Sequence, residues 1–338
     1  MAKTGAPTLI GSRTGLKKAA SFLSDNFVWV LVLIVTFVAF LITPVFYSMN
    51  NLYNLLVTFS VLGLLTLAES VVLLTGNFDN SIEFTLIFSA MVAAWLTIDH
   101  TYASGLQLPA IIGIFSTLLV GVIIGLANGI LVGYVGMQPF ITTFASGVII
   151  TGLGILMTGG SILTPFPTDY TKLGRDLIGP LPLAGLFVIG VYILFHLMFR
   201  YTRLGRRLFV VGGNLEAAKA LGVDDKKTQM IAFVLAGLLA GLGGWILGGR
   251  LNSASGQMSS NQLLLAYGAA VIGGVKLGGG DAKVSGIFGG VILIASIYTV
   301  MNLAQVDPYI SRATAGIVIL GAMLLDSVRS GEFLKARN

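Results

Sequence analysis

Residues 109–134 read PAIIGIFSTLLVGVIIGLANGILVGY, a run without a single acidic or basic side chain. A helix rising 1.5 Å per residue needs roughly 20 mostly apolar residues to cross the hydrocarbon core of a bilayer, and it must satisfy its backbone polar groups internally. This run meets both demands, and comparable blocks occupy 27–46, 52–75, 82–99, 139–158, 182–200, 228–249, 263–276, 285–303 and 311–326. Two of them, 263–276 and 311–326, are short enough to be tilted, interfacial or re-entrant. The expectation is an all-α polytopic integral membrane protein of about ten transmembrane helices, with eight as the lower bound.

Composition leads to the same place. Of 338 residues, 55% are hydrophobic and only 10% charged, with a mean hydropathy of +0.92. Soluble domains carry about 25% charged residues, so lipid is the solvent for much of this surface. The chain divides into a polar, basic segment 1–26, a transmembrane domain 27–326 and a tail 327–338. The apolar run Phe27–Phe46 has no small-residue cleavage site behind it and reads as a retained first helix, not a signal peptide. The absence of cysteine excludes disulfides, thiolate nucleophiles and thiolate metal sites. A net charge of +6 does not point to nucleic acid, because the basic residues sit in short segments between apolar blocks.

Those basic residues fix an orientation. With the N-terminus in the cytoplasm and one crossing per block, only Lys172, Arg175, Arg250 and Arg312 of the 20 Lys and Arg residues fall outside. Both termini are then cytoplasmic, and a span count of the wrong parity would scramble the asymmetry.

Within the blocks, Gly121, Gly125, Gly129 and Gly133 recur every four residues, and Gly237, Gly241, Gly244 and Gly248 nearly do the same. Small residues at this spacing allow the close backbone approach on which helix association in lipid depends. Polar residues are few. Glu69 is the one acid well inside a block, near Thr66 and Ser70, while Asp79 lies at a boundary. Asn128, Thr142, Thr143 and Ser146 complete the set. Each reads either as a packing residue hydrogen-bonded across helices or as part of a solute path. Trp29, Trp95 and Trp245 read as anchors near helix ends. The polar stretches Ser161–Leu181 and Asn252–Asn261 read as solvated loops or as contacts for an extracytoplasmic partner.

The longest charged segment, 201–227, reads YTRLGRRLFVVGGNLEAAKALGVDDKK. Asn214 suits an N-cap, Glu216 the first turn and Gly222 a C-terminal stop, which predicts a helix over Leu215–Leu221. Two turns are marginal alone in water, so this helix needs a surface to dock against.

The order Glu216-Ala217-Ala218, three residues, then Gly222 resembles the cytoplasmic signature of permease subunits of ATP-binding-cassette importers. The resemblance to bacterial ribose/galactose-type sugar permeases extends over roughly Asn50–Asp326, carried by GLANG (Gly125–Gly129), QPFITTFASGVIITGLGILMTGG (Gln138–Gly160), TRLGRRLFVVGGNLEAAKALGV (Thr202–Val223) and VIGGVKLGGGDAKVSGIFGG (Val271–Gly290). It implies a ten-span subunit that dimerises, with a like chain or a related permease. It also implies an ATPase subunit docked through Asn214, Glu216, Ala217, Ala218 and Gly222, and a solute-binding protein on the outer side. Two departures leave the cargo open. Where the pattern has Gly-Ile-Asp-Leu-Ser-Val-Gly, this chain has Gly76-Asn77-Phe78-Asp79-Asn80-Ser81-Ile82-Glu83, with Glu83 in place of the last glycine. Where the pattern has Glu-Leu-Asp, it has Leu263-Leu264-Leu265.

No GxxxxGK[ST] phosphate loop occurs, so ATP is expected on a separate polypeptide and no cofactor on this one. An enzyme would need a nucleophile with a base or a metal cluster. The two histidines, His100 and His196, lie near opposite faces with no carboxylate grouping. The reading is a non-enzymatic permease for a monosaccharide or similar small polar solute. Branched-chain amino acids or nucleosides are the alternative cargo, and an ion-coupled carrier or channel is the alternative class.

Overall fold

Each of the nine apolar blocks between residues 27 and 303 contains a helix. The computed structural model describes residues 26–259, 261–307, 309–311, 313–314, 316–317, 320–321 and 324. The N-terminal segment up to residue 25, half of the block 311–326 (Arg312 included) and the tail 327–338 lie outside the described residues.

In chain order the elements are α1 (Phe27–Ile42), a 3-10 turn (Pro44–Tyr47), α2 (Met49–Leu73), α3 (Ile82–Thr97), α4 (Ala110–Gly133), α5 (Pro139–Thr158), α6 (Thr168–Arg175), β1 (Leu177–Ile178), β2 (Leu181–Pro182), α7 (Leu183–Tyr201), α8 (Arg203–Gly213), α9 (Leu215–Ala220), α10 (Asp225–Leu251), α11 (Gln262–Ile272) and α12 (Val284–Leu303). Among the described residues, α2, α4, α5, α7, α10 and α12 are long and apolar enough to cross a membrane. At 1.5 Å per residue, the 16-residue α1 and α3 reach only about 24 Å of a hydrocarbon core of about 30 Å. The 11-residue α11 reaches about 16 Å, or half of that core. Local sequence explains each shortfall. Pro44 ends α1, the polar run Gly76–Ser81 delays α3, and the block expected at 263–276 turns out of helix at Gly273 and Gly274, the latter at φ +90°.

The axis of the bundle is α2, buried on every side from Phe59 to Leu73, as a helix apolar all round should be. α10 packs along it and, more extensively, along α4. The two glycine stripes meet in this last pair. A methyl on Gly121 would overlap the Gly237 carbonyl, a methyl on Gly237 would overlap that of Gly121, and Gly125 faces the Phe233 carbonyl. The packing role read from the stripes is borne out at atomic contact. Outward faces of α4, α5 and α7 carry Ile111, Phe115, Ile141, Phe144, Leu156 and Leu194, all exposed, a surface suited to lipid.

Three features were not foreseen. The stretch Ser161–Leu181 is not an open loop. It holds α6 and the antiparallel β1–β2 hairpin, a small exception to an all-helical chain. Tyr170 of α6 is fully buried and stacked on Phe166 with ring centroids 4.1 Å apart, and Trp245 Nε1 donates to the Tyr170 carbonyl at 2.9 Å. The same stretch is stitched to the other polar segment by two backbone bonds between Leu163 and Ala254, at 3.0 and 2.9 Å. Finally, α8 precedes the expected short helix. Thr202 caps it by accepting from the Gly205 amide at 3.0 Å, and Leu208 and Val211 turn inward while Arg206 and Arg207 face out.

Candidate functional site

A seam of buried polar side chains runs through the bundle where α2, the 74–81 loop, α4, α5 and α11 meet. It begins at Glu69, fully buried in α2. Its Oε1 accepts from the Asp79 amide at 3.5 Å, while Oε2 has no partner. Thr66 and Ser70 do not serve it, because their hydroxyls donate to their own helix at Leu62 O (2.7 Å) and Thr66 O (2.6 Å).

Asp79 continues the seam. Its Oδ1 accepts from the Ser81 amide at 2.9 Å and from the Ser81 hydroxyl at 2.6 Å. Ser81 Oγ in turn accepts from Asn128 Nδ2 at 2.8 Å, while Asn128 Oδ1 is buried without a partner. Asn80 links the remaining walls: its amide donates to Thr143 Oγ1 at 2.9 Å, its Nδ2 to the Phe140 carbonyl at 3.2 Å, and its Oδ1 accepts from the Tyr267 hydroxyl at 3.3 Å. Glu69, Asp79, Asn128 and Thr143 are therefore brought together. Thr142 is not: its hydroxyl donates to Gln138 O at 2.7 Å on its own helix. Ser146 is half-buried and, among the described residues, makes no hydrogen bond to the seam. Asn80, Ser81 and Tyr267 belong to the seam but were not singled out by sequence. The run of small polar residues 79–81 carried a signal for the first two; nothing local marks Tyr267.

Glu83 lies at one end, buried, with Oε1 accepting from the Ser259 hydroxyl at 2.8 Å and the Gln262 amide at 3.1 Å, and Oε2 from the Leu263 amide at 3.1 Å. No Lys or Arg forms an ion pair with any of these three carboxylates among the described residues.

The segment expected to dock folds as read. Asn214 Oδ1 accepts from the Ala217 amide at 2.9 Å, Glu216 lies in the first turn, and Ala218 is the buried residue of α9. Gly222, at φ +69°, stops the helix. Its amide bonds the Lys219 carbonyl at 2.9 Å and the Val223 amide bonds that of Ala218 at 3.0 Å, the two bonds of a Schellman motif. Leu215 and Leu221 are exposed, the latter at 73%, beside an exposed Glu216–Lys219 pair at 3.8 Å. Two residues back, α8 ends against the membrane core. A methyl on Gly212 would overlap the Leu74 carbonyl, and the Gly280 amide donates to that same carbonyl at 3.0 Å. The 201–227 segment thus touches, through Gly212, the stretch of chain that leads into Asp79.

Comparison with known proteins gives the family. The ribose import permease protein of Escherichia coli K12 is 30% identical over 85% of this chain and 88% of its own. That of Bacillus subtilis is 31% identical over 93% and 94%. The galactose/methyl galactoside import permease protein of Haemophilus influenzae is 28% identical over 94% and 98%. No solved structure matches the chain. A family model described as "branched-chain amino acid transport system / permease component" matches residues 51–324. The multi-pass helices, the transport names of the relatives and that match agree: the chain belongs to this family of membrane permease components.

Proposed function

We propose that this chain is the membrane-spanning subunit of an ATP-driven, binding-protein-dependent importer of a monosaccharide or related neutral polyol. In this reading it has ten spans, both termini in the cytoplasm, and works as a dimer with itself or a related permease. The single observation that carries it is α9, a capped six-residue helix presenting Leu215, Glu216 and Leu221 to solvent within a basic segment. Exposed leucines on so short a helix suit a groove on a partner, here an ATPase subunit. Closure of the ATPase pair would pull α9, and with it α8. The Gly212 contact on Leu74 would carry that displacement into the loop holding Asp79, Asn80 and Ser81. Access to the seam would then alternate between an outer binding protein and the cytoplasm.

The chemistry of the seam favours the cargo. Asn128 Oδ1 is a buried acceptor without a partner, suited to a hydroxyl donor of a sugar, and the Glu69 carboxyl offers a further polar contact in the same seam. The family description names branched-chain amino acids and the relatives name ribose and galactose. An amino acid's carboxylate would want a cation, and among the described residues the seam holds carboxylates without Lys or Arg. ATP-dependent uptake of labelled ribose and galactose against leucine, with the ATPase and binding protein present, tests this reading. The cysteine-free chain also lets single cysteines at positions 172 and 219 report sidedness. An impermeant thiol reagent should label the first from outside and the second only from the cytoplasm; labelling of both from one side would contradict the topology.

A further inference from the structure

Helix α11 begins without a cap of its own. Asn261 precedes it at φ +61° and its side chain bonds none of the helix amides, yet the first amides of a helix need acceptors, most of all where water is scarce. Glu83 supplies them from another helix, through both carboxylate oxygens, with the Ser259 hydroxyl as a third donor. Glu83 also sits in the first turn of α3. One buried negative charge therefore lies at two positive helix ends at once, and it is compensated without any cation. α3 and α11 share little other surface. Five residues along α11 from Gln262, Tyr267 reaches Asn80 in the seam at 3.3 Å.

We propose that Glu83 is a positioning residue for transport: it caps α11 from α3 and thereby sets Tyr267 in the solute path. The transport consequence rests on the importer reading; the cap does not.

Two variants test it in the full chain with its ATPase: Glu83→Gly and Glu83→Gln. Hydrogen exchange is read at the Gln262 and Leu263 amides, together with solute uptake and ATPase copurification. Loss of charge-assisted bonds should speed exchange at both amides about tenfold or more in Glu83→Gly, with a smaller rise in isosteric Glu83→Gln. Uptake of labelled ribose and galactose should fall in parallel, less in Glu83→Gln than in Glu83→Gly, with ATPase copurification unchanged. Unchanged exchange in Glu83→Gln and Glu83→Gly overturns the cap, whatever the protein transports. Normal uptake in Glu83→Gly overturns the positioning role. Wild-type chain that takes up no solute with ATP would instead count against the importer reading and leaves the exchange result to decide the cap.

Discussion

Ser81 is the residue on which the seam turns. Its hydroxyl donates to Asp79 and accepts from Asn128, so Ser81→Ala strips a partner from two buried groups at once. Each unsatisfied group costs about 1–3 kcal/mol. The expected outcome is a clear loss of thermal stability in detergent, and of uptake, that Ser81→Thr largely avoids by keeping the hydroxyl. Equal stability of the alanine and threonine variants would mean that the relay carries little energy. At this scale the sequence was legible where a residue's chemistry is costly in lipid. Glu69, Asp79 and Asn128 stand out because a polar group inside an apolar block must find a partner. Which of Thr142, Thr143 and Ser146 faces that partner depends on the rotation of α5, and rotation is set by packing. The four-residue spacing of Thr142 and Ser146 is real, but the 79–81 loop arrives beside Thr143. Tyr267 was hidden for the same reason: only the docking of α11 brings it to Asn80.

Among the elements, close packing along the glycine stripes of α4 and α10 was the most legible, because its signal is a repeat along the chain and its cause is purely steric; that the two stripes meet each other was not. Gly121→Ala should cost about 1–3 kcal/mol through overpacking against the Gly237 carbonyl. Gly152→Ala, on α5 with nothing within 4 Å of the added methyl, should be neutral or mildly stabilising, since alanine is the better helix former. Melting temperatures of the two purified variants check this; equal values would mean that the two helices relax apart without penalty. α8 escaped notice because its arginines dominate the reading of 203–213, although Leu208 and Val211 supply an inward face. α6 escaped because its eight residues carry both charges and glycine, and its helix is held by the burial of Tyr170, a tertiary effect. The short α11 was foreseen as a short block, but its missing cap was not, because the capping acid lies far away in sequence at Glu83.

For the molecule as a whole, the seam and the 201–227 segment are joined by contacts that the chain order conceals. Gly212 and Gly280 converge on Leu74, linking motifs that the sequence places far apart. This convergence gives the account its mechanical claim: what happens at α9 is felt at Asp79. The most direct test is ATP-dependent uptake, scored with ATPase copurification, for wild type and for Glu216→Lys, Leu221→Asp and Gly222→Val. Glu216→Lys and Leu221→Asp alter only exposed side chains, while Gly222→Val strains a left-handed turn by about 1–2 kcal/mol. Inserted protein should remain at wild-type levels in all three. The account predicts that each loses ATPase copurification and uptake together. Uptake that persists with no ATPase bound would contradict it and put an ion-coupled carrier or channel in its place.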